Sequence, residues 1–71
     1  MDYGKSLKSW RELNKLSQCQ LSEKTGISQA NISRWEDNKR TPSIEHCVQL
    51  ADFYQISIDE LIGRDFERKN F

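Results

Sequence analysis

The stretch from Gln18 to Glu36, QCQLSEKTGISQANISRWE, holds two short helical patterns separated by a single glycine. Helices joined this closely must pack on one another, and the joint needs a positive φ that Gly26 adopts without strain. Leu21, Thr25, Ile27, Ile32 and Trp35 are spaced to point inward. Ser22 is small enough to let the two backbones approach. Ser28, Gln29, Ala30, Asn31, Ser33 and Arg34 are left facing outward. A merely solvated helix face is normally filled with Glu and Lys, so this small, hydrogen-bonding row calls for an explanation.

The remaining pattern adds three helices and no strand. The first is expected from about Gly4 to Lys15, with Leu7, Trp10, Leu13 and Leu16 as its apolar stripe. Ser17 to Gln20 and Ser57 to Glu60 both read as capping boxes, opening the second and fifth helices. The third starts behind Ser28 and ends near Asp37, where Asn38 tolerates left-handed geometry. Lys39-Arg40-Thr41-Pro42 forms a loop. Helix four, about Ser43 to Tyr54, is expected to bury Ile44, Cys47, Val48, Leu50 and Ala51, and helix five ends at Gly63. Short loops make successive helices neighbours, so the expected fold is an all-α, compact five-helix bundle spanning 1–63, with 64–71 as a short tail.

At 71 residues and 35% hydrophobic content, there is material for one modest core and no cleft between domains. No apolar run reaches the length of a membrane span or a leader peptide, so a cytoplasmic protein with no membrane partner is expected. Cys19, His46 and Cys47 are too few to close a zinc site, so neither metal nor cofactor is expected, and both cysteines read as reduced, half-buried packing residues. Net charge is zero, yet it is unevenly spread. Residues 1–42 carry eight Lys and Arg against five Asp and Glu, and residues 43–71 carry three against six. Such a dipolar molecule presents a basic side to phosphates while its other end repels them. No nucleophile–base pair or carboxylate pair converges on a pocket, which argues against an enzyme and a small-molecule substrate.

Taken together, Ser17-Gln18, Leu21-Ser22, Gly26-Ile27-Ser28, Ile32-Ser33-Arg34-Trp35-Glu36, Pro42-Ser43 and Ser57-Ile58-Asp59-Glu60-Leu61 resemble the lambda-repressor/Cro-type helix-turn-helix family, also called XRE-type. The resemblance covers Leu7 to Gly63. It implies a lambda-repressor-like bundle in which helices two and three form the helix-turn-helix and the third enters the major groove of double-stranded DNA. By that resemblance Gln29, Ala30, Ser33 and Arg34 read base edges. Gln18 contacts the DNA backbone and buttresses the recognition helix, and Asn38, Lys39 and Arg40 lie along the sugar-phosphate chain. Arg11 and Glu36 match an ion pair bridging helix one to the end of helix three. Thr25, Asn38 and Gln55 depart from the family's usual residues. The Thr25 hydroxyl is expected to bond a helical carbonyl, and Gln55 stands where glycine usually ends helix four.

The residue chemistry agrees. Arg34 can donate to guanine O6 and N7, Gln29 can pair with adenine N6 and N7, and Ala30 can pack on a thymine methyl. Ser17, Ser28 and Asn31 join the backbone-contact set, because free N–H groups at helix starts favour phosphate. Trp10 and Trp35 are phased toward the core rather than toward stacking with bases. Ile58, Leu61, Ile62 and Phe66 exceed what one bundle needs and are candidates for a dimer interface.

The expectation is a bacterial or phage-encoded, nucleoid-associated transcriptional regulator, acting as a repressor and homodimer on a palindromic operator. With the sequence ending soon after helix five, no ligand-sensing or self-cleaving domain is expected. The rival class is an antitoxin-like or regulator-binding interaction module on the same fold.

Overall fold

The computed structural model describes residues 2–63, and within them five helices follow one another: α1 Tyr3–Leu13, α2 Gln18–Thr25, α3 Gln29–Glu36, α4 Ile44–Tyr54 and α5 Ile58–Ile62. Each begins where a polar side chain takes over an N–H that the helix cannot satisfy itself. Asp2 caps α1, and Ser17, Ser28, Ser43 and Ser57 cap the rest. Both expected capping boxes are present, with Gln20 and Glu60 reaching back to the cap N–H. The all-α five-helix architecture is the one expected.

The core gathers Leu7 from α1, Leu21 and Ile27 around the turn, Ile32 and Trp35 from α3, Cys47, Leu50 and Ala51 from α4, and Leu61 from α5. α1 runs beneath both halves, packing on α3 and on α5. Gly4 makes the first contact possible. A Cβ there would lie 2.5 Å from the Glu36 carbonyl oxygen and 2.7 Å from that of Trp35. At the other contact the last carbonyls of α5 are taken up by α1. Trp10 Nε1 donates to Glu60 O at 2.9 Å and Ser6 Oγ to Leu61 O at 2.8 Å. A helix of five residues is therefore anchored at both ends.

Four sequence expectations shift. α1 ends at Leu13, and Leu13 is 70% exposed. A stripe spaced only in threes falls about 60° further behind at each step, and the inward position after Leu7 belongs to Arg11. On α4 the buried stripe is Cys47, Leu50 and Ala51 with half-buried Tyr54, which leaves Ile44 and Val48 on an open flank at 79% and 41% exposure. Leu61 is fully buried, so it is a core residue and not part of a dimer surface. Of its companions, Ile58 is exposed, Ile62 is packed against the core and Phe66 lies outside the described residues. Finally, the cysteines differ from each other: Cys47 is buried and Cys19 exposed.

Three helices end the same way. Leu16 N–H donates to Arg11 O, Lys39 N–H to Arg34 O and Ile56 N–H to Ala51 O, a hooked closure that places the preceding residue in left-handed conformation. Those residues are Lys15, Asn38 and Gln55, with φ of 60°, 61° and 60°. None is glycine, and a left-handed lysine or glutamine is strained by roughly 1–2 kcal/mol. Replacing Gln55 with Gly is expected to raise stability by about 0.5–1 kcal/mol in urea unfolding, after the greater freedom of glycine in the unfolded chain is counted.

Candidate nucleic-acid interface

The turn between α2 and α3 is built from three residues. Gly26 takes φ +79° with open space around its Cα. Thr25 Oγ1 donates to Leu21 O at 2.8 Å, as its sequence position implied, and also accepts the Ile27 N–H at 3.2 Å. Ile27 is thereby turned into the core, and Ser28 Oγ opens α3 by accepting from Asn31 N–H. Gln49 of α4 closes the outside of the turn by donating to Thr25 O.

α3 is pinned by Ile32 and Trp35, which are 2% and 4% exposed. At 3.6 residues per turn, Gln29, Ser33, Ala30 and Arg34 fall in one sector about 140° wide on the opposite side. Gln29, Ala30 and Arg34 are exposed and Ser33 is half-buried. No side-chain hydrogen bond among the described residues engages any of the four. Donors and acceptors on this sector are available to something outside the chain.

The far end of α3 is held by a buried charge cluster. Arg11 Nε and Nη2 donate to the two carboxylate oxygens of Glu36 at 2.7 and 2.9 Å, and Nη1 donates to Leu16 O at 2.8 Å. Gln18 Nε2 adds a third donor to Glu36 at 3.0 Å. The side chains of Arg11 and Glu36 are only 10% and 4% exposed. Hydrogen bonding to Glu36 holds the Arg11 guanidinium above its ordinary range against the opposing effect of burial. Both the pair and the buttressing by Gln18 were expected from the resemblance; the structure adds that Gln18 acts through the Glu36 carboxylate. Its amide faces Glu36, so it buttresses α3, and its second N–H has no partner among the described residues.

Asn38 behaves differently from the phosphate contact expected of it. Its Nδ2 donates to Asp2 Oδ1 at 2.9 Å, and its Oδ1 accepts the Gly4 N–H at 3.0 Å. The side chain is a bracket between the α3 terminus and the start of α1. The Lys5 N–H, and after it the Asn38 amide, donate to the Asp2 carboxyl and hold it below its ordinary range. Ser17 and Ser28 likewise spend their hydroxyls on capping.

Lys39 and Arg40 project from the loop after Asn38, and both are exposed. Arg40 and Asn31 line an open concavity of about 190 Å³ together with Trp35, Thr41, Ser43 and His46. No local pattern joins His46 to this group. Its Nδ1 lies 2.9 Å from Ser43 Oγ, and its ring is tilted against Trp35 with centroids 4.9 Å apart. The basic side thus comprises Arg34, Lys39 and Arg40, while α4 and α5 carry Glu45, Asp52, Asp59 and Glu60 without a lysine or arginine.

A helix-turn-helix family model matches residues 7–61, which is most of the described bundle. The chain belongs to the helix-turn-helix family. Its type is the lambda-repressor/Cro one that the motifs resembled. This helix-turn-helix chain is 39% identical over 54 residues to the cryptic phage CTXphi transcriptional repressor RstR of Vibrio cholerae, covering 76% of this chain and 47% of the relative. It is 34% identical over 65 residues to the transcriptional regulator ImmR of Bacillus subtilis, covering 92% and 51%. A third relative, the transcriptional activator BcrR of Enterococcus faecalis, is 34% identical over 63 residues, covering 89% and 31%. The chain therefore spans about half or less of the length of these relatives. No helix among the described residues is long and apolar enough to cross a membrane.

Two outcomes test the held side of this arrangement. Arg11→Met strands the Glu36 carboxylate in the interior and is expected to cost about 3–5 kcal/mol in denaturant unfolding. Beside the pair, the Tyr54 hydroxyl is buried without a hydrogen-bond partner among the described residues, and burial pushes the phenol from 10.0 up to about 12. The fold favours the protonated phenol, so its contribution is complete below pH 10 and declines as pH rises toward 12. Ultraviolet titration against Tyr54→Phe is expected to show the Tyr54 phenolate forming only near pH 12.

Proposed function

We propose that this chain is a sequence-specific DNA-binding transcriptional regulator whose α3 reads the major groove. The observation that carries this reading is the outward sector of α3. Gln29, Ala30, Ser33 and Arg34 are the residue types that complement base edges, and they stand together on a helix that two other helices hold rigidly. Preorganisation of this kind lets contact energy go into discrimination rather than into ordering the protein. The unused Gln18 N–H, the N–H groups at the starts of α2 and α3, and Asn31, Lys39 and Arg40 surround that sector and serve phosphates.

Repression is the regulatory sense favoured here. The phage repressor RstR and the Repressor protein C2 of Salmonella phage P22 both resemble the chain, the latter at 30% identity over 67 residues. One recognition helix spans only a few base pairs, so a homodimer on a palindromic operator supplies the remaining specificity. Ile58, exposed on α5, and its neighbour Ile62 are the proposed contact. The neutral total charge makes base contacts and pairing of subunits weigh more than bulk attraction.

Selection from random double-stranded DNA is expected to enrich a palindrome. Arg34→Ala and Gln29→Ala should each alter the preferred bases and weaken cognate binding by about 1–3 kcal/mol. Uniform weakening on all sequences would remove them from base reading, and no salt-dependent binding at low ionic strength would defeat the DNA reading itself. Arg40→Ala should weaken binding on every sequence and shallow the salt dependence by about one counterion.

A further inference from the structure

We infer that Tyr3, on the first turn of α1, is a positioning residue for the loop that carries Arg40, so that DNA affinity depends on a side chain that itself touches no DNA. The inference rests on the DNA-binding reading of that loop. Its observation is a bond across 37 positions: the Tyr3 hydroxyl donates to the Arg40 carbonyl oxygen at 2.9 Å and stands 3.4 Å from Thr41 Oγ1.

The loop has few other restraints. Behind it, Lys39 N–H and Arg40 N–H reach back to Arg34 O at 2.8 and 3.4 Å. Ahead of it, Pro42 is buried and Ser43 caps α4. Between these anchors Lys39, Arg40 and Thr41 are exposed, and among the described residues Tyr3 is the side chain from outside the loop that hydrogen-bonds it. A carbonyl held at residue 40 fixes the peptide plane from which the Arg40 side chain departs, and with it the direction available to the guanidinium.

Tyr3 is itself fixed by its neighbours. Asp2 Oδ1 accepts the Lys5 N–H at 2.9 Å and also the Asn38 amide. The Gly4 N–H donates to Asn38 Oδ1. Gly4 then lies so close to the Trp35 and Glu36 carbonyls that α1 cannot slide along α3. The Tyr3 ring packs against the core, leaving its hydroxyl as the free end of a stiff arm. Without that hydroxyl the loop visits other paths, and apparent affinity falls by the fraction of time spent in the competent one.

Tyr3→Phe keeps the ring and removes only the hydroxyl, so melting temperature and circular dichroism should stay close to those of the parent. Binding to the selected DNA, measured by fluorescence anisotropy at fixed salt, is expected to weaken about three- to tenfold, with base preference unchanged. In an Arg40→Ala background the same change should matter by less than about twofold, because nothing remains to be positioned. Equal affinity of Tyr3→Phe and parent, full additivity with Arg40→Ala, or a shift in preferred bases would each overturn the inference while leaving DNA binding intact. No effect of Arg40→Ala alone would overturn it too. Absence of salt-dependent binding by the parent protein would overturn both readings together.

Discussion

Three helices meet at one carboxylate. Glu36, the last residue of α3, takes a two-pronged guanidinium from α1 and an amide from α2, and the guanidinium's remaining donor satisfies the carbonyl of Leu16 where the chain turns from α1 into α2. A buried ion pair is a poor source of net stability, since desolvation offsets most of its attraction. What it supplies is geometry. A hydrophobic contact tolerates sliding, whereas a forked guanidinium–carboxylate bond has a preferred plane and direction. The orientation of α3 against both its neighbours is therefore fixed at the end farthest from the Gly26 turn.

The opposite end of α1 repeats the strategy with an amide in place of the guanidinium. Asn38 ends α3 through its backbone and completes the start of α1 through its side chain, so one residue serves a helix terminus on each side. The consequence is that α1 grips α3 at two places, Gly4 and Arg11, with Leu7 buried between them. All three positions lie on one face of α1, three or four residues apart.

Capping chemistry and the turn glycine were legible in the sequence because they are local: Ser17, Ser57 and Gly26 act on residues within four positions of themselves. The outward face of α3 was legible for the same reason, as Ile32 and Trp35 set the phase of the helix within two turns. The stripes of α1 and α4 are less legible. A run of leucines pointed to Leu13, and branched residues pointed to Ile44 and Val48, although burial in these helices is decided by which neighbour lies opposite. Arg11 occupies an inward position only because Glu36 waits there. Contacts between distant residues, such as Tyr3 with Arg40 or Trp10 with Glu60, leave no local pattern and could not be foreseen. Asn38 shows the limit clearly. Its left-handed backbone was evident from its residue type, while the destination of its side chain depended on where α1 begins.

On α3 the residues that hold the helix and those that face outward are entirely separate sets. Ile32, Trp35 and Glu36 do the holding, while the side chains of the outward sector make no hydrogen bond among the described residues and only Ser33 is partly buried. Side-chain changes at positions 29, 30 and 34 therefore bear little on folding. A lineage carrying this scaffold can change the chemistry of that outer face, one substitution at a time, without passing through an unfolded ancestor.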